Sequence, residues 1–185
     1  MKQNTKNLVL AAMFLAIGLV LPFFTGQIPQ IGSMLLPMHL PVLLCGLLCG
    51  WQYGAVVGLV LPMLRYVLFG MPPLLTAVAM SFELLTYGLV IGLLYSRSRW
   101  KCIFSLYRSL LAAMVAGRVV WGVVRVLMTG VVGEPFTWQL FLSGALLTAI
   151  PGIILQLVFI PALMVALDKT GIVRFSRKKT EAAQT

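Results

Sequence analysis

The chain has 185 residues, 61% of them hydrophobic and only 10% charged, with a mean hydropathy of +1.02. A soluble domain of this size carries about 25% charged residues, so composition excludes a wetted globule and indicates a single-domain integral membrane protein. The net charge of +10 does not argue for nucleic acid, because the basic residues cluster at the ends of apolar segments, where topology accounts for them.

The first apolar run, 8–24, follows Lys2 and Lys6 and ends at Pro22-Phe23-Phe24 without a small-x-small cleavage site. It is therefore expected to be a retained first span rather than a signal peptide. A Gly- and Pro-marked polar stretch occupies 25–33. The run 34–69 is too long for one helix and is broken by Gly50-Trp51-Gln52-Tyr53-Gly54, which predicts two short helices over 36–49 and 54–69. Gly70-Met71-Pro72-Pro73 reads as a turn, since consecutive prolines cannot continue a helix. Further spans are predicted over 74–95, 106–128 and 138–167, the last long enough to kink at Pro151 or Pro161. The fold class expected is thus all-α, six transmembrane helices in one domain over 1–170, with a polar basic tail over 171–185.

Six spans place both ends on one side. Lys2, Lys6, Arg97, Arg99, Lys101, Arg108, Lys169, Arg174, Arg177, Lys178 and Lys179 make 11 basic residues on that face, whereas 25–33, 70–73 and 129–137 contain no Lys or Arg. The positive-inside rule then makes both termini cytoplasmic, in a bacterial plasma membrane.

Of 14 basic residues, Arg65, Arg118 and Arg125 remain inside spans, together with one carboxylate, Glu83. A charge at mid-bilayer costs about 2.5–3.5 kcal/mol on insertion scales, so each needs a partner or a polar cavity. Helical rise puts Glu83 and Arg118 near the midplane, with Arg65 and Arg125 in the outer half. A structural ion pair between Glu83 and Arg118 is one reading, and snorkelling of Arg65 and Arg125 to the outer headgroups is another. The third is an anion site, because one carboxylate cannot neutralise three guanidinium groups. Arg118, Trp121, Gly122 and Arg125 recur at i, i+3, i+4 and i+7 and share one face of the fifth span. On the sixth, Gly144, Thr148, Gly152 and Gln156 form a small-polar stripe that serves either close packing or ligand space. On the fourth, Thr76, Glu83 and Tyr87 lie on one face. His39 stands between Pro37 and Pro41 at the outer end of the second span, where distorted backbone lines a cavity or is covered by protein.

Gly46 and Gly50, Gly54 and Gly58, Gly88 and Gly92, and Ala12 and Ala16 are small-xxx-small pairs that let helices approach. Cys45, Cys49 and Cys102 make no disulfide framework, and the lone histidine makes no metal set with them, so the cysteines read as packing residues. No catalytic constellation or phosphate-binding loop is present, so neither a cofactor nor ATP hydrolysis by this chain is expected.

The size, the six spans, Ala12-Met13-Phe14-Leu15-Ala16 and the run from "GQIPQIGSMLLPMHLPVLLCGLLCG" through "GMPP" to "ELLTYGLVIGLLY" resemble the substrate-binding S components of energy-coupling factor (ECF) vitamin transporters. The resemblance covers almost the whole chain. It implies an S-component-like helical bundle that captures a micronutrient outside the cell. Delivery would require a transmembrane coupling protein and two ATPases, with Ala12 and Ala16 meeting the coupling protein. The pattern is most similar to niacin-transporter members, with pantothenate carriers next. Both ligands are carboxylates, as the arginine surplus requires. The candidate ligand residues are therefore Arg118, Arg125, Trp121, Glu83, Arg65, His39 and Thr148. The alternative class is a self-sufficient small channel or a helical scaffold in which the arginines serve only packing.

Overall fold

The computed structural model describes residues 2–25, 36–98, 102–132 and 150–169. The described residues form six α-helices: α1 (Lys2–Val20), α2 (His39–Cys49), α3 (Trp51–Phe69), α4 (Leu74–Arg97), α5 (Ile103–Val132) and α6 (Ile150–Lys169). A 3-10 turn, Leu21–Thr25, extends α1. Among the described residues, five helices are long and apolar enough to cross a membrane, and α2, with 11 residues, is shorter. The predicted sixth span is seen from residue 150 onward; its earlier part, with Thr148, and the basic tail fall outside the described residues.

Two boundaries differ from expectation for local reasons. The predicted break over 50–54 shrinks to Gly50 alone, because its φ of 97° turns the chain in one residue. α3 can then begin at Trp51, with the Gly54 N–H donating to the Gly50 carbonyl at 3.1 Å. The predicted helix 36–49 starts only at His39. Leu36 has a φ of 48°, a left-handed conformation that a branched residue before proline rarely adopts. The turn is closed by His39 N–H donating to the Leu36 carbonyl at 3.0 Å. Pro41 falls in the first turn of α2, where its missing N–H would have had no helical partner anyway. At the far end of α3, Gly70 (φ 69°) caps the helix by donating to the Tyr66 carbonyl at 2.8 Å.

α4 is the centre of the bundle, packed against α2, α3 and α5. α1 lies on α2 and α3, and α6 lies on α5 and α2. The α3–α4 contact is antiparallel and backbone to backbone. A Cβ on Gly92 would meet Trp51 N at 2.6 Å, one on Gly88 would overlap the Gly54 carbonyl, and one on Gly58 would overlap the Leu84 carbonyl. Gly46 of α2 enters the same junction, its Cβ position lying 2.8 Å from the Gly88 carbonyl oxygen. The small-residue spacing on α2, α3 and α4 therefore serves close packing, with Gly50 serving the turn instead. The free thiols Cys45 and Cys49 are buried in the core on α2. α1 buries Ala11, Phe14 and Gly18 and exposes Ala12, Met13 and Ala16 on the opposite face. Its beginning is tied to the α2–α3 corner, Asn7 Nδ2 donating to the last carbonyl of α2, Cys49, at 3.4 Å.

Candidate functional site

Three charged or chargeable side chains from three helices meet inside the bundle. Glu83 of α4 is 1% exposed and His39 of α2 is fully buried. His39 Nε2 lies 3.5 Å from Glu83 Oε1, and Arg118 Nη1 of α5 lies 3.3 Å from the same oxygen. The short α2 explains how His39 gets there. Eleven residues rise only about 16 Å, so the first residue of α2 sits halfway through the bundle rather than at its edge. Tyr87, one turn along α4 from Glu83, holds the imidazole edge to face, with ring centroids 5.1 Å apart and planes at 79°. Gly117, beside Arg118, makes room for that phenol: a Cβ there would lie 2.8 Å from the Tyr87 ring.

The Arg118 guanidinium is only partly used. Its Nη1 faces Glu83, whereas Nε and Nη2 are buried and have no hydrogen-bond partner among the described residues. Nε–H and Nη2–H are the parallel pair of donors along one edge of the group. That edge takes a carboxylate through two hydrogen bonds. Both imidazole nitrogens of His39 are likewise buried without a hydrogen bond among the described residues.

Arg118, Trp121, Gly122 and Arg125 do share a face, turned away from exposed Val119, Val123 and Leu127. Arg125 carries its guanidinium over the Trp121 ring, 5.7 Å from the centroid. No carboxylate lies within ion-pair distance of Arg125 among the described residues.

Arg65 is engaged elsewhere. It is 4% exposed and its Nη1 donates to the Leu19 carbonyl at 2.7 Å, in the last turn of α1. The Phe23 and Phe69 rings flank it at 5.2 and 5.6 Å. Its guanidinium thus satisfies a helix end that lipid could not. The structure brings His39, Glu83 and Arg118 into one cluster and sets Arg125 and Trp121 farther along the same face of α5. It turns Arg65 toward α1, and Thr148 is outside the described residues.

Tyr87 packs on the cluster, and Gln156 is a second buried polar side chain, on α6, whose role the sequence leaves open. Tyr87 shared a face with Glu83, but its ring contact crosses to α2, which periodicity along one helix does not reveal. Gln156 was one member of a stripe; the usable signal was a lone uncharged polar side chain in an otherwise apolar helix.

Comparison with known families decides the class. Residues 6–164 match the family described as ECF transporter, substrate-specific component. The chain belongs to that family. No curated protein and no solved structure shows a significant match. This S component is accordingly a multi-pass membrane protein and a transport binding subunit, not an enzyme. Membership also answers the alternative of a self-sufficient channel or scaffold, because an S component works with the ECF module and a small substrate. The buried, partly unpaired polar cluster at mid-bundle is the candidate place for that substrate.

Proposed function

We propose that this S component binds a small anionic water-soluble vitamin through Arg118 and Arg125, with nicotinate the first candidate and pantothenate the alternative. The supporting observation is the Nε/Nη2 edge of Arg118, buried and unpaired while Nη1 rests on Glu83. Charge counting agrees. Glu83 offsets one of the two arginines on this face of α5 and α4, leaving a net +1 that one carboxylate brings to zero. Trp121 offers an indole surface to an aromatic acid. His39 completes the site from α2.

Charge-assisted hydrogen bonds contribute roughly 1.5–3 kcal/mol each. Arg118→Ala or Arg125→Ala is therefore expected to weaken nicotinate binding by about ten- to a hundredfold, and binding of its uncharged amide far less. Calorimetric titration of both ligands, with protein yield checked alongside, reads this directly. Nicotinate binding as tight in both variants as in the parent would make these arginines structural.

In the membrane, the 11 basic residues at the end bearing both termini support a cytoplasmic location for that end. The ligand then enters from outside, and a coupling protein with two ATPases supplies the energy. Ala12 and Ala16, exposed on α1 away from the bundle core, are the proposed docking surface for the coupling protein. Changing both to leucine is expected to stop uptake in cells while the purified protein still binds its ligand. Uptake at the parent's rate would remove α1 from the coupling interface.

A further inference from the structure

Before Asp168, α6 carries one uncharged polar side chain, Gln156, and it is 1% exposed. Both ends of its carboxamide, Nε2 and Oε1, are buried and have no hydrogen-bond partner among the described residues. Burying such a group unpaired is unfavourable, and a leucine or methionine would fill the same space without that cost. Packing therefore does not explain it.

Its level in the bundle does. Gln156 lies 13 residues from Lys169, Glu83 lies 14 from Arg97, and Arg118 lies 15 from Ile103. At 1.5 Å per residue, all three stand about 20–23 Å from those helix ends. α6 packs against α5 and α2, the helices that carry Arg118 and His39. An unpaired carboxamide and an unpaired guanidinium edge thus occupy the same layer of adjoining helices.

Resting on the carboxylate reading above, we infer that Gln156 is a specificity-determining ligand contact. It reads an uncharged hydrogen-bonding group on the small carboxylate that Arg118 holds. The two residues divide the work by chemistry. A guanidinium only donates and is best matched to the carboxylate, through two parallel charge-assisted bonds. A carboxamide donates from Nε2 and accepts at Oε1, so it recognises a ring nitrogen, an amide or a hydroxyl. A site with a buried hydrogen-bonding group rejects the analogue that leaves that group unpaired. Nicotinate and benzoate make the cleanest comparison, since they share shape and charge and differ at one ring atom.

The test uses the full chain purified in detergent and Gln156→Met, which keeps the volume and removes the polar atoms. Melting temperature is measured without ligand, and affinities are measured for nicotinate, pantothenate and benzoate. The ligand-free variant is expected to melt higher than the parent, because an unpaired carboxamide has gone. Preference for the better-bound vitamin over benzoate is expected to fall at least tenfold, with benzoate affinity unchanged. An unchanged preference, or a lower ligand-free melting temperature, overturns the inference and makes Gln156 a packing residue. So does a parent that holds benzoate as tightly as either vitamin. Each of those results leaves the Arg118→Ala comparison standing as the separate test of the carboxylate reading. A parent that binds none of the three overturns both.

Discussion

Gly88→Ala is expected to destabilise the protein by more than about 3 kcal/mol, beyond the usual range for overpacking a core. The added methyl would overlap the Gly54 carbonyl and approach Ala55 N at 2.8 Å. These are backbone atoms, so no rotamer change relieves the contact, and α3 and α4 must separate. Separation propagates, because Gly46 of α2 rests against the same Gly88 carbonyl. α4 also carries Glu83, so the polar cluster would loosen with the packing. Gly130→Ala is the matched control. A Cβ there meets nothing within 4 Å, and replacing a helical glycine by alanine gains up to about 1 kcal/mol in helix propensity. Thermal unfolding of the two variants in the same detergent should differ in sign. Equal melting temperatures would mean that α3 and α4 do not touch through their glycines.

The second large effect concerns charge. Glu83→Gln leaves the largely enclosed Arg118 guanidinium without its carboxylate, a loss expected to cost up to about 3–5 kcal/mol. Two consequences separate this from a general packing defect. Adding Arg118→Met to Glu83→Gln removes the orphaned charge and should return most of the lost stability, while weakening the binding of a carboxylate ligand. Conversely, saturating nicotinate should raise the melting temperature of Glu83→Gln more than that of the parent, because the ligand's charge replaces the one removed. If the double variant is less stable than Glu83→Gln alone, the two side chains are not an energetic pair.

The residues that were legible in one dimension are those whose role depends on one helix. The apolar lengths and the glycine spacing on α2, α3 and α4 point to the helices and contacts observed. Arg118, Trp121 and Arg125 share a face because 3.6-residue periodicity demands it. What escaped depends on a second helix or on a single dihedral. Arg65 counts in the cation surplus by composition, but its hydrogen bond to the Leu19 carbonyl depends on α1. His39 looked like an edge residue because the left-handed Leu36 that delays the start of α2 leaves no signature in composition. Gln156 was legible as an oddity, but its lack of a partner is a property of the packed bundle.

The central claim is that this S component holds a small carboxylate against an arginine edge at mid-bundle. A thermal-shift measurement on the purified protein against a panel of water-soluble vitamins tests it most directly, since a ligand that binds only the native state raises the melting temperature by mass action. The account predicts a rise with nicotinate or pantothenate that is larger than any with nicotinamide or thiamin, and reduced in Arg118→Ala. Stabilisation by thiamin, a cation, with no response to any carboxylate would contradict it.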